Sequence, residues 1–120
     1  MSIPRISKEE LKERLDGDAA SAPIVIDARL KYPYEHSTVT LPGALRNPDL
    51  STLPRDREIV AYDSDLDELA SAKLAATLIR QGFKARALQG GIADWMAGKF
   101  PTDTKDAPMQ APPKAGALKG

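Results

Sequence analysis

Asp63, Asp65, Asp67 and Glu68 crowd together directly behind the apolar run Ile59-Val60-Ala61-Tyr62. Carboxylates at this spacing can hold a cation, act as base or nucleophile, or cap a helix that begins beside them. The chain contains no cysteine, which removes thiolate nucleophiles, zinc-thiolate sites and disulfides together. Its single histidine, His36, sits in the polar stretch Glu35-His36-Ser37-Thr38, where an exposed loop residue is expected. One imidazole supports neither a two-histidine metal site nor a serine–histidine relay with a spare ring. His36 is therefore not the candidate for catalysis, and the acidic cluster is the feature to explain.

Helix capping accounts for part of the cluster. Asp67 suits the N-cap of a helix beginning at Glu68, and acids in a first turn gain roughly 0.3–1 kcal/mol each from the helix dipole. Asp63 and Asp65 lie too early for that role. Their alternation with Asp67 resembles the start of an EF-hand loop, but that loop needs glycine at its sixth position and glutamate at its twelfth. Glu68 and Leu74 stand there instead. An apolar strand followed by Asp-x-Asp also resembles the first motif of haloacid-dehalogenase-like phosphotransferases. Their magnesium site is completed by later acids, and only Asp94 follows Glu68 ahead of the C-terminal stretch.

The elements that position the cluster follow from periodicity. Ser7-Lys8-Glu9-Glu10 is a capping box: the Ser7 hydroxyl can accept the Glu10 amide proton while Glu10 reaches back to the Ser7 amide. With Ile6 and Leu11 flanking this cap, a helix is predicted over 8–15, stopped by Gly17. Pro23 to Asp27 is a short, continuously apolar run, the pattern of a strand covered on both faces. Residues 28–57 carry weak signals apart from the tight turn Leu41-Pro42-Gly43-Ala44. Glu58 to Tyr62 reads as a second buried strand. A helix is predicted over 68–81 from the spacing of Leu69, Ala72, Ala76 and Ile79, with Gly82 as its left-handed stop. Lys84 to Leu88 makes a third strand, and Gly90-Gly91 turns the chain into a short helix around Trp95, closed by Gly98. Strand, helix and strand at this spacing imply crossover connections and a parallel sheet, an α/β fold.

At 120 residues, with seventeen basic and seventeen acidic side chains, the composition is that of one soluble globular domain. Zero net charge leaves no electrostatic footprint for nucleic acid or an anionic membrane, and no apolar run approaches the roughly 18 residues that span a bilayer. The first fifteen residues lack the apolar core of a secretory leader, so a cytoplasmic location is expected. Residues 1–100 are read as the domain. Residues 101–120, with Pro101, Pro108, Pro112 and Pro113 and little to bury, are read as a flexible Pro-rich tail.

Taken in order, Ile26-Asp27-Ala28-Arg29, Leu41-Pro42-Gly43-Ala44, Asp56-Arg57-Glu58-Ile59-Val60, the strand-loop-helix of 59–81, Gly82-Phe83 and Leu88-Gln89-Gly90-Gly91-Ile92-x-x-Trp95 resemble a rhodanese homology domain. Each piece is weak alone, but their order and spacing over roughly residues 5–100 are specific. The resemblance implies a rhodanese-like fold, a central parallel sheet of about five strands flanked by helices. It is nearest to family members whose active loop reads Tyr-Cys-x-Cys-Pro-Asn-Glu before an Ala/Ser-rich helix. Here Tyr62, Glu68 and Ser71 are kept, while Asp63 stands where the catalytic cysteine would be. Asp65 replaces the second cysteine, Leu66 the proline and Asp67 the asparagine. The Gly-His-Ile lead-in common before the Pro-Gly-Ala turn is Val39-Thr40-Leu41.

Family rhodaneses hold a sulfane sulfur as a persulfide on a thiolate cradled by loop amides, which demands a polarizable nucleophile. A carboxylate is a hard oxygen base that forms no persulfide. The resemblance thus implies a domain silent as a sulfurtransferase, with no catalytic residue, no metal and no cofactor, that acts as a binding or regulatory module. The expected active loop is Asp63, Ser64, Asp65, Leu66, Asp67 and Glu68, supported by Asp27, Arg29 and Ser71. The Asp63 carboxylate is expected to take the loop amide hydrogen bonds and to occupy the anion site itself. The acidic rim would favour cations or the basic side chains of a protein partner. Two alternatives stay open: an enzyme using Asp63 as general base or a divalent cation at Asp63, Asp65 and Glu68, or a decayed paralogue that persists as a scaffold. Asp27 and Arg29 are expected to pair and brace the loop, Trp95 to anchor the core, and Arg46 and Arg57 to be solvated.

Overall fold

The computed structural model describes residues 3–64 and 69–105. A two-residue strand β1 (Arg5–Ile6) runs straight into helix α1 (Lys8–Asp16), whose N-cap Ser7 accepts the Glu10 amide at 3.1 Å. The other half of the predicted capping box takes a different form, because the Glu10 carboxylate pairs with Arg86 at 3.1 Å. Strand β2 (Ile24–Asp27) follows, then a short helix α2 (Lys31–Glu35), strands β3 (Val39–Thr40) and β4 (Leu45–Arg46), and a 3₁₀ turn over Leu50–Thr52. Strand β5 (Ile59–Tyr62), helix α3 (Leu69–Arg80), strand β6 (Ala85–Leu88), helix α4 (Gly91–Ala97) and strand β7 (Asp103–Thr104) complete the described chain.

Five strands form one sheet in the order β1-β6-β5-β2-β4, and every neighbouring pair is parallel. The two runs predicted as doubly covered strands, β2 and β5, pair at its middle with Ile24 opposite Ile59 and Asp27 opposite Tyr62. Because side chains alternate across a strand, each run feeds two cores. Val25, Val60, Tyr62 and Leu88 pack with Leu11 of α1 and with Ile92 and Trp95 of α4. Ile26, Ile59 and Ala85 face the other way and pack with Ala75 and Leu78 of α3 and with Phe83. Trp95 is fully buried, and its indole N–H donates to the Pro101 carbonyl at 2.7 Å. At the end of α3 the Gly82 amide donates to Ile79 and the Phe83 amide to Leu78, closing the helix through a left-handed glycine at φ +94°.

Residues 28–57, opaque from the sequence, supply α2, β3, β4 and the 3₁₀ turn. Pro33 sits in the first turn of α2, where a missing amide proton costs nothing. The segment expected to leave the domain at residue 101 stays on it through Lys105. Strand β7 pairs antiparallel with β3, and the Asp103 carboxylate accepts the Gly43 amide at 2.9 Å. Residues 106–120 and loop positions 65–68 lie outside the described residues. No helix among the described residues is long and apolar enough to cross a membrane.

Candidate functional site

Strand β5 ends at Tyr62, and the chain places Asp63 at the carboxyl edge of the sheet, beneath the start of α3. The Asp63 carboxylate accepts the backbone amide of Ser71 at 2.7 Å and retains only 7% of its exposure. It is thus turned into the first turns of α3, where amide dipoles favour negative charge. Backbone acceptors fix the same residues from the other side. The Asp63 carbonyl accepts the Ile92 amide at 2.8 Å, and the Ser64 carbonyl accepts that of Ala93 at 3.1 Å. Amides in the first turn of α4 have no partner within their own helix, so the loop backbone satisfies them. The Gly90-Gly91-Ile92 segment is therefore the latch of the loop. Gly90 adopts φ +77°, and a Cβ there would stand 2.5 Å from that of Asp94, so no larger residue fits.

Below the loop, Asp27 and Arg29 form a buried, bidentate pair with both side chains 1% exposed. Arg29 donates from Nε to both Asp27 oxygens at 3.0 and 3.1 Å and from Nη2 at 2.7 Å, and the Arg29 amide bonds Asp27 as well. Burial disfavours the charged guanidinium, but the hydrogen bonds and charge of Asp27 outweigh it and hold Arg29 above its ordinary pKa. Tyr62 lies 5.5 Å from Arg29 across its ring and accepts the Leu41 amide at 3.3 Å. Burial, reinforced by the Asp27 charge, pushes its phenol well above the ordinary value. The pair thus touches the residue immediately before Asp63, and the Ala28 amide bonds the Tyr62 carbonyl at 2.9 Å.

Of the residues expected at the site, Asp63 and Ser71 meet directly, Asp27 and Arg29 meet directly, and Ser64 joins through its carbonyl. Asp65, Leu66, Asp67 and Glu68 are outside the described residues, as is the expected N-cap role of Asp67. Among the described residues no group of three or more His, Asp or Glu side chains is placed to hold a metal ion. His36 is exposed at the end of α2.

Two arginines expected in solvent are engaged. Arg57 donates to the Ala22 carbonyl. Arg46 donates to the Arg29 carbonyl, approaches the Asp27 carboxylate at 3.6 Å and lies 4.1 Å from the centre of the Tyr34 ring. Arg46 was expected in solvent because a two-residue strand has no readable period. The turn at Leu41 to Ala44 was the available signal, since it delivers Arg46 beside Asp27 at the end of β2.

A strand-loop-helix with this latch and this order of parallel strands has relatives. The sequence profile of the rhodanese-like domain matches residues 7–98, most of the chain. The chain belongs to the rhodanese-like family. It is 36% identical over 99 residues to the tRNA sulfurtransferase of Desulfurococcus amylolyticus, an alignment covering 81% of this chain and 18% of that protein. The chain therefore spans less than a fifth of that relative. Among solved structures, the BH2092 protein of Bacillus halodurans superposes with a TM-score of 0.73 at 20% identity, over 84% of this chain and 77% of its own. A rhodanese-like domain protein of Staphylococcus aureus superposes with a TM-score of 0.64 at 21% identity, over 78% and 91% of the two chains. At such identities the structures establish the shared fold. The rhodanese-like domain described here contains no cysteine, so the catalytic cysteine of the family is absent.

Proposed function

We propose that this chain is a rhodanese-like module that recognises a partner and does not carry sulfur. The observation behind this reading is the Asp63 carboxylate, at the end of β5 and bonded to the Ser71 amide. A carboxylate so placed fills by itself the position where a thiolate would hold a sulfane sulfur, and oxygen at that position cannot form the persulfide. Its low exposure also argues against a working general base, which must reach a substrate proton. With Asp65, Asp67 and Glu68 following, the loop presents negative charge suited to basic side chains of a protein partner.

The test is thiosulfate:cyanide sulfurtransferase activity of the purified wild type and of Asp63→Cys. The wild type is expected to be inactive. The variant is expected to acquire a cyanolysable sulfane sulfur on a thiol whose pKa lies below the ordinary value of about 8.5, because the Ser71 amide remains in place. Turnover by the wild type would overturn the reading. An introduced thiol with an ordinary pKa would refute the claim that Asp63 occupies an anion site.

A further inference from the structure

A groove of about 370 Å³ opens at the carboxyl end of β2, between the Arg46–Leu50 segment and the first turns of α3. Ile26, Leu50, Ala70 and Leu74 give it an apolar wall, and Asp27, Arg29, Arg46 and Asn47 line its polar side. The volume falls at the small end of the range for small-molecule sites, roughly 300–1,000 Å³.

Among the described residues, Arg29, Arg46 and Lys105 gather beside it around the Asp27 carboxylate and the Tyr34 ring. Arg29 is neutralised by Asp27, yet Arg46 draws on that same carboxylate, and Lys105 stands 4.2 Å from the Tyr34 ring with its Nζ bonded to the Tyr34 carbonyl. Tyr34 thus gathers Arg29, Arg46 and Lys105 around one ring, with Asp27 as the carboxylate ion-paired among them. Arg46 is a quarter exposed and reaches the groove, so an anion there would complete its pairing. Asn47, held at φ +51°, stands next to it with a carboxamide that can donate a second hydrogen bond.

We propose that this groove binds a small organic monocarboxylate, its carboxylate on Arg46 and its apolar body against Ile26, Leu50 and Leu74. A single charge fits better than a dianion such as phosphate or thiosulfate, because the Asp27 carboxylate also lines the groove. The site uses neither the Asp63 carboxylate nor the Ser71 amide, so it goes beyond the proposed function and does not depend on it.

The test is a titration of the ¹⁵N-labelled full chain with benzoate and, separately, with the neutral isostere benzamide, followed through the amides of Ala28, Asn47, Leu50, Ala70 and Leu74. Benzoate is expected to shift these amides saturably and to bind about tenfold more tightly than benzamide, since a charge-assisted, bidentate contact is lost in the amide. Arg46→Gln should erase that preference. Ala70→Phe, which fills the groove and leaves Arg46 and its partners in place, should block both compounds with an unchanged amide spectrum elsewhere. Equal affinity for the two compounds, a preference that survives Arg46→Gln, saturable binding that survives Ala70→Phe, or no shift at the groove amides at the solubility limit of benzoate would overturn the proposal. Sulfur-transfer activity of the wild type would refute the reading of Asp63 and leave this titration untouched.

Discussion

Replacing Asp27 by leucine removes one carboxylate and strands several donors at once. Arg29 loses the contacts from Nε and Nη2 and its amide loses an acceptor, all within a pocket where both side chains are 1% exposed. Breaking a buried pair from one side costs about 3–5 kcal/mol, because the remaining charge is left without water and without a partner. Such a loss takes a large share of the roughly 5–15 kcal/mol that stabilises a whole domain. At about 4–5 °C per kcal/mol for some 100 residues, the melting temperature should fall by about 12–25 °C. Adding Arg29→Met to Asp27→Leu removes the stranded charge, so the double variant should recover at least about 2 kcal/mol relative to the sum of the single losses. Urea unfolding reports this cycle conveniently, because Trp95 is the sole tryptophan and is fully buried. Additive losses, or a single-variant cost under about 1.5 kcal/mol, would refute the view that Asp27 and Arg29 are strongly coupled in a dry pocket.

Two further outcomes follow from other parts of the fold. Burial disfavours the Glu58 carboxylate, but Arg86 and Arg14 overcome it and hold its pKa below the ordinary glutamate value. A depressed folded pKa contributes stability that is present above the unfolded pKa and is lost as pH falls through the folded one. Urea midpoints should therefore drop below about pH 5, and Glu58→Gln should flatten that part of the profile; an unchanged slope would count against the Arg14–Glu58–Arg86 network. Gly90→Ala should destabilise the domain by more than about 2 kcal/mol, whereas Gly43→Ala should cost only about 1 kcal/mol. Both glycines have positive φ, but a Cβ at Gly90 meets Asp94 at 2.5 Å while one at Gly43 meets nothing within 4 Å. Equal losses by thermal denaturation would remove steric contact as the reason.

Elements that bury a continuous or periodic apolar face were legible in the sequence. Ile24 to Ile26 and Ile59 to Tyr62 are apolar because both faces of these central strands are covered; the spacing of Leu69, Ala72, Ala76 and Ile79 marked α3, but its buried face is Ser71, Ala75 and Leu78, and Leu69 at the helix start is exposed. Strands β1, β3, β4 and β7 were not legible. Each is two residues long, so none carries a period, and each is defined by a partner distant in sequence, as when Val39 pairs with Thr104. The same limit hid Arg46 and Lys105. Their surroundings come from Tyr34, whose neighbours arrive from three separate segments. Asp63 was readable because its neighbours in sequence, Tyr62 and the helix bearing Ser71, are also its neighbours in space.

That locality separates what the backbone of the loop does from what the side chain at position 63 does. The contacts that fix the loop to α4 come from the carbonyls of Asp63 and Ser64, which any residue at those positions would supply. The Asp63 side chain supplies an acceptor to the buried Ser71 amide. A thiolate meets that demand with sulfur and aspartate meets it with oxygen. The fold is rhodanese-like around a carboxylate that cannot form a persulfide.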